Sequence, residues 1–288
     1  MQKFLVSIIL PTYNSEKTIQ AALDSIFCQE LKDYELIIID GASKDTTLDI
    51  AKEAIGLVQS EISVTLISEK DEGIYDAINK GILHAQGKWI YILGSDDKLV
   101  SSSVLSSFKA LVEVLDVQMV YGDVLMKGEI YLGKFDRLKL LHRNICQQAI
   151  FYKRELLEQH GLFNPRYKVY ADYVYNIEIF FNEKISTGYI PLVVAEYSLD
   201  GLSSIEVDEM FVIDYPDMIQ NLIKGKVSAC VLYEQYAKCG LRLFYKSYYL
   251  KGMFYVAKAF LYSGEIKFIL MLLPKIIRKP LGIHTFWN

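Results

Sequence analysis

The sequence predicts an α/β fold: a mostly parallel, Rossmann-like central sheet flanked by helices, with a helical extension at the C-terminus. Three observations point there. Short apolar, β-branched runs alternate with helical stretches through the first hundred residues, the pattern of parallel strands joined by right-handed crossovers. Successive runs end in polar or acidic residues. After about residue 208 the composition changes, with aromatics and lysines interleaved.

The elements follow in order. Residues 6–10 form a β-rich run that breaks at Pro11-Thr12-Tyr13-Asn14. Ser15 is placed to cap the next helix, with Thr18 in its first turn. A second strand, 34–39, ends in Asp40-Gly41-Ala42-Ser43-Lys44-Asp45-Thr46-Thr47, and Asp45 caps a helix reaching about Val58. A third strand, 64–68, leads through Asp71 and Gly73 into a helix over 74–85. Residues 88–93 are apolar and aromatic, a buried strand closed by Gly94-Ser95 and followed at once by Asp96 and Asp97.

The second half is less regular. It reads as a helix over 101–115, a strand over 118–121, a hairpin over 124–135 turning near Lys127-Gly128, and a strand over 145–152. A short helix over 154–160, a helix from Ala171 to about Phe181 and a strand over 188–197 complete it. The expected organisation is one α/β domain over 1–207, its first half, 1–100, holding a nucleotide and its second, 101–207, an acceptor, followed by a helical, basic-aromatic extension over 208–288.

Bulk properties narrow the classes. With 288 residues, 52% of them hydrophobic, the chain can build one large domain and an appendage. A net charge of −4 argues against a general nucleic-acid binder. Cys28, Cys146, Cys230 and Cys239 are scattered, with no zinc-ligand spacing and no disulfide framework, which fits a reduced cytoplasmic setting. The N-terminus lacks a signal peptide's apolar core, and no clean apolar run reaches membrane-spanning length.

Adjacent carboxylates at the carboxyl edge of a sheet lie where open α/β sheets bind ligands. They repel one another, so a cation or bound protons should accompany Asp96 and Asp97. Mg²⁺ or Mn²⁺, hard ions that share sites with substrate phosphates, are the natural guests. Thr12, Asn14, Asp40 and Asp71 end neighbouring strands and would face the same crevice. An isolated Gly-Ser-Asp-Asp reads as a solvated turn; the surrounding chain favours a site.

Several motifs together resemble family 2 glycosyltransferases of the GT-A fold, in a bacterial branch serving glycan biosynthesis. They are Pro11-Thr12-Tyr13-Asn14, Ile39-Asp40-Gly41-Ala42-Ser43-Lys44-Asp45-Thr46-Thr47, the stretch 68–81, Gly94-Ser95-Asp96-Asp97, Cys146-Gln147-Gln148-Ala149 and Ala171-Asp172-Tyr173. The resemblance covers about residues 5–200. It implies an inverting, metal-dependent hexosyl- or N-acetylhexosaminyl-transferase acting from a nucleotide-sugar donor, UDP-linked, onto a hydroxyl of a growing or lipid-linked glycan. By that resemblance Pro11, Thr12, Tyr13 and Asn14 lie beside the nucleoside, and the Asp40 carboxylate accepts the uracil N–H. Asp71, with Gly73 permitting close backbone approach, completes the pocket. Asn79, Ser95 and Asp96 belong to the donor site, Asp97 ligates the metal, and Gln147 and Gln148 bond acceptor hydroxyls. Asp172 is the base that takes the acceptor proton.

The chain departs from the family pattern at Val174, often an aspartate, and at Gln147, often a histidine; neither can move a proton. Glu178 is the reserve base. Tyr152, Tyr170 and Tyr173 can stack on a sugar or pack in the core. His84 and Lys88 read as exposed ends of elements. Two rival readings stand: a nucleotidyltransferase, disfavoured by the lack of a Gly-rich basic loop after the first strand, and a degenerate sugar-nucleotide-binding subunit. Beyond Cys239 the one acidic residue, Glu265, faces Arg242, Lys246, Lys251, Lys258, Lys267, Lys275, Arg278 and Lys279. Such a tail can lie on the anionic inner face of the cell membrane or pack as ordinary helices.

Overall fold

The computed structural model describes residues 3–58, 61–131, 133–198, 208–246 and 248–263. In chain order these form β1 (Phe4–Thr12), α1 (Ile19–Phe27), β2 (Tyr34–Asp40), α2 (Thr47–Val58), β3 (Ser63–Ser68), α3 (Ile74–His84), β4 (Gly87–Ile92), β5 (Lys98–Leu99), α4 (Val104–Val112), β6 (Met119–Met126) and β7 (Glu129–Tyr131). There follow α5 (Arg137–Leu140), a 3-10 turn (Gln147–Ala149), β8 (Ile150–Lys153), α6 (Arg154–His160), α7 (Ala171–Phe180), β9 (Thr187–Glu196), α8 (Glu209–Ile223), α9 (Ala229–Tyr245) and α10 (Tyr249–Ser263). The chain divides into two compact units, Met1–Asp136 with Asn144–Glu206, and Arg137–Arg143 with Val207–Asn288.

The first unit is built on one sheet in the order β3-β2-β1-β4-β8-β6-β9-β5, with β7 paired to β6. β1 runs parallel to β2 and β4, and β2 parallel to β3. β8 is antiparallel to both β4 and β6, so the sheet becomes mixed beyond β4. Every residue of β2 is buried, as expected for a strand covered on both faces. The parallel register aligns the carboxyl ends of three strands: Thr12 opposes Asp40, and Asp40 opposes Ser68. His84 and Lys88 are exposed near the amino end of β4, away from that edge.

An aromatic stack joins α4 to the middle of the sheet. Phe108 lies 3.8 Å from Phe151 ring to ring and meets Trp89 edge-on at 5.6 Å, while Phe151 stacks on Tyr91 at 4.6 Å. Phe108→Ala should therefore lower unfolding free energy by about 3–5 kcal/mol, checked by urea denaturation.

Local differences from the sequence reading have physical causes. The expected strand 118–121 and the first arm of the hairpin are one strand, β6; Lys127 and Gly128, both at positive φ, then make its two-residue turn. Of the expected strand 145–152 only the end is extended, because Gln147–Ala149 coil into a 3-10 turn. The helix expected over 101–115 is confined to Val104–Val112, and the two-residue β5 has too little pattern to announce itself. Ser15 does not cap α1 with its side chain: its hydroxyl lies 2.8 Å from that of Ser95, and Thr18 occupies the cap position without a side-chain bond. Asp45 does bond the start of α2, accepting the Thr47 N–H at 3.0 Å.

In the second unit the Asp208 carboxylate accepts the Phe211 N–H at 3.1 Å and caps α8. Val212, Tyr236, Ala237, Leu243, Tyr255 and Ala259 form its core. Lys251 donates to Asp217 at 2.8 Å and Lys258 to Gln220, so both lysines are held against α8. α10 leaves Tyr249, Leu250, Met253, Phe254, Phe260 and Leu261 exposed. Among the described residues no helix is long and apolar enough to cross a membrane. The apolar run 268–274 and the basic residues Lys267, Lys275, Arg278 and Lys279 lie outside the described residues.

Candidate active site

The carboxyl ends of β1, β2 and β3 make one wall of the site. Asp40 is fully buried; its oxygens accept the Ser43 N–H at 3.1 Å, the Ser43 hydroxyl, and the Ser68 hydroxyl at 2.6 Å. A base N–H would reach this carboxylate only if a serine gave way. Asn14, at φ +49°, bridges to the next loop, donating its N–H to Ser43 Oγ and accepting the Lys44 N–H at 2.9 Å. Tyr13 beside it is 57% exposed, whereas Pro11 and Thr12 are buried in β1. Thr12 Oγ1 is buried without a hydrogen-bond partner, an orphan that needs an explanation in a closed fold.

Gly41 shows how tightly this wall is drawn together. A Cβ there would fall on the Asp71 carboxylate and come within 3.3 Å of the Tyr13 ring. Gly41→Ala should thus weaken nucleotide-sugar binding by about tenfold or more, measured by isothermal titration, because ring and carboxylate would both have to move. Asp71 accepts the Gly73 N–H at 3.0 Å. Gly73 opens α3 at φ +127° with open space where a Cβ would stand, so the backbone angle, not close approach, requires glycine. Asn79 is turned elsewhere: its amide donates to the Phe163 carbonyl at 2.7 Å and accepts the Phe163 N–H at 3.1 Å. Both its polar atoms tie α3 to the loop before α7, so the structure does not bring it together with Asp40 and Asp71.

The second wall follows β4. A Cβ on Gly94 would meet Asp97 Oδ2 at 2.6 Å and Asp96 Oδ1 at 2.8 Å, so the two carboxylates flank one point. Ser95 is held by Ser15, which ties this loop to the loop after β1. Asp97 is 4% exposed; Oδ1 accepts the Ser198 N–H at 2.8 Å and Oδ2 the Gln148 amide at 2.5 Å. Burial, and then the Asp96 charge, push its carboxyl up to about 7. Two adjacent carboxylates suit Mg²⁺ or Mn²⁺ that takes its remaining ligands from water and phosphate. Among the described residues no three His, Cys, Asp or Glu side chains form a metal cage. The donor set therefore fits a cation shared with a diphosphate better than one enclosed by protein.

The third part is Asp172, at the start of α7. Its Oδ1 accepts from the Tyr75 hydroxyl at 2.7 Å and its Oδ2 from the Asn144 amide at 2.7 Å. Burial pushes its carboxyl up to about 6, while those bonds and backbone N–H groups pull it down. The segment Asn144 to Gln148 connects the walls: Asn144 holds Asp172 and Gln148 holds Asp97. Between them the Cys146 thiol is pushed up to about 12, by burial and then by the charges of Asp172 and Asp97. Asp97 and Asp172 therefore share one neighbourhood.

Gln148, expected to bind an acceptor, instead donates to Asp97, and its carbonyl accepts from Tyr91 at 2.9 Å. Gln147 keeps Nε2 buried and without a hydrogen-bond partner. Glu178 lies 3.6 Å from His160. Val174 is packed in the core, as are Tyr152 and Tyr173. Tyr75 and Asn144 escaped the sequence reading. Tyr75 lies inside a motif already singled out, one residue before Asp76, but nothing local shows that its hydroxyl meets a carboxylate 97 positions later.

Known proteins resemble this chain in sequence and in fold. The family model described as "Glycosyl transferase family 2" matches residues 7–161. A "PGL/p-HBAD biosynthesis glycosyltransferase" of Mycobacterium bovis is 42% identical over 214 residues, covering 72% of this chain and 82% of that protein. The Escherichia coli "UDP-Glc:alpha-D-GlcNAc-diphosphoundecaprenol beta-1,3-glucosyltransferase WfgD" is 29% identical over 167 residues, 56% of this chain and 58% of its own. Among solved structures, Staphylococcus aureus TarS 1–349 in complex with UDP-GlcNAc superposes with a TM-score of 0.66 at 16% identity, covering 96% of this chain and 81% of that one. That last likeness is one of fold, the GT-A fold. With more than half of the chain matched by the family model, the protein belongs to glycosyl transferase family 2 and is a glycosyltransferase.

Proposed function

We propose that the enzyme transfers a hexosyl or N-acetylhexosaminyl unit from a UDP-sugar to a hydroxyl of a lipid-linked glycan, with inversion and with a divalent cation. One observation carries the reading: Asp97 and Asp172 are held by a single segment, residues 144–148, in one neighbourhood, with Asp96 beside Asp97. Asp96 and Asp97 would hold Mg²⁺ or Mn²⁺, which when bound offsets charge on the departing nucleoside diphosphate. Asp172 removes the proton as the acceptor oxygen bonds to the anomeric carbon and the carbon–diphosphate bond breaks. Its carboxyl near about 6 leaves it ionised at neutral pH yet basic enough for the task. Thr12, Tyr13 and Asp71 would cradle the nucleoside, Asp40 taking the base N–H after a shift of Ser43. Gln147 would bond the acceptor. The UDP donor and lipid-linked acceptor follow the specificity that the name of the E. coli relative states.

A thermal-shift screen of UDP-, GDP-, CMP- and dTDP-sugars with and without Mn²⁺ tests the donor. UDP-sugars should raise the melting temperature only with the metal; a response confined to another nucleotide refutes the UDP assignment.

The apolar face of α10 supports contact with an anionic lipid surface, aided by the basic residues that follow it in sequence. Leu250→Asp combined with Phe254→Asp should abolish co-sedimentation with vesicles of anionic phospholipid. Unchanged sedimentation of the double variant would remove this face from the account.

A further inference from the structure

We propose that Tyr75 is a positioning residue for the transfer step, its hydroxyl turning between Asp172 Oδ1 and the Val169 carbonyl as Asp172 loses and gains the acceptor's proton. This rests on the reading of Asp172 as the base.

The inference comes from counting protons. The Tyr75 hydroxyl lies 2.7 Å from Asp172 Oδ1 and 2.8 Å from the Val169 carbonyl oxygen. It has one proton for these two acceptors. When Asp172 is ionised, the proton turns to the carboxylate. When Asp172 is protonated, Oδ1–H donates to the tyrosine oxygen, and the tyrosine donates to Val169. The other carboxylate oxygen lacks this freedom. Asn144 Nδ2 donates to Oδ2 at 2.7 Å, Asn176 Nδ2 donates to Asn144 Oδ1 at 2.9 Å, and the Tyr152 hydroxyl donates to Asn176 Oδ1 at 3.0 Å. These bonds, from β8 through α7, aim an N–H at Oδ2 throughout. The proton taken from the acceptor is therefore accommodated at Oδ1, where its partner can reverse direction.

The Tyr75, Tyr152 and Cys146 side chains beside Asp172 carry no charge near neutrality. Burial raises the Tyr75 and Tyr152 hydroxyls well above their ordinary range, and Cys146 is pushed up to about 12. Hydrogen bonds from Tyr75, Asn144 and backbone N–H groups keep this buried carboxyl ionisable. Tyr75 is 7% exposed and its ring packs on Phe163 at 5.9 Å, contacts that phenylalanine would keep.

The test is Tyr75→Phe, read first without substrate. ¹³C-carboxyl NMR of aspartate-labelled protein follows the Asp172 signal, identified by its loss in Asp172→Asn. The Asp172 titration should move to higher pH by about one unit in Tyr75→Phe. The acid limb of kcat/KM for UDP release should move with it, with KM for the donor unchanged and about tenfold lower rates below the limb. An unmoved titration overturns the proposal. Should the phenylalanine variant fail to fold, 3-fluorotyrosine at position 75 decides: a more acidic hydroxyl must shift the titration to lower pH, and no shift overturns the proposal. Transfer surviving in Asp172→Asn would instead refute the base assignment, while the NMR titration still reports on Tyr75 separately.

Discussion

Asp172→Asn should reduce sugar transfer by about 10²–10⁴-fold while leaving nucleotide-sugar binding intact. The variant suits its surroundings unusually well. Asparagine can accept the Asn144 amide with its oxygen and donate its own amide to Tyr75, whose hydroxyl then turns to Val169. This reproduces the protonated aspartate, so folding should be undisturbed. Calorimetry with a UDP-sugar and a radiolabelled transfer assay measure the two quantities. Loss of donor binding would make Asp172 structural; retained transfer would place the base elsewhere. In the wild type, transfer should rise as pH passes through about 6 and level off above it, because the ionised carboxylate is the active form. A rate that falls across that range contradicts a base at this position.

Asp97→Asn should also abolish transfer, and it should stabilise the fold at neutral pH. Asp97 is buried, and its carboxyl stands at about 7, above the ordinary 3.8. An acid whose folded value is raised binds more protons folded than unfolded between those two values. The wild type therefore loses stability as pH rises from about 4 to about 7, and asparagine, which does not titrate, escapes that loss. The gain in the variant should be on the order of 3 kcal/mol at pH 7 and vanish near pH 4. Asparagine can keep the Ser198 N–H on its oxygen, and the Gln148 amide can flip to accept from its nitrogen. Mn²⁺ should raise the melting temperature of the wild type and leave Asp97→Asn unaffected. Equal melting curves for the two proteins at pH 7, or transfer undiminished by chelator, would contradict the role given to Asp97.

The sequence disclosed what short-range patterning controls. The parallel strands β1 to β4 announce themselves as apolar runs, and the acidic residues at their ends stand where the sheet needs no side chain for its core. Asp40, Asp71, Asp96 and Asp97 were visible for that reason. What stayed hidden depends on partners distant in the chain. Gln148 looked like a sugar ligand because amides bond hydroxyls, yet it serves Asp97, 51 positions earlier. Asn79 looked available on a helix face, yet Phe163 takes both ends of its amide. The 3-10 turn at 147–149 defeats a strand pattern, with Gln148 drawn to the Asp97 carboxylate. Ala42, exposed at φ +60° between Gly41 and Ser43, carries no sequence mark of its left-handed backbone.

The five residues from Asn144 to Gln148 have an evolutionary corollary. A graft of this pentapeptide from a relative would bring along the electrostatic setting of both carboxylates at once.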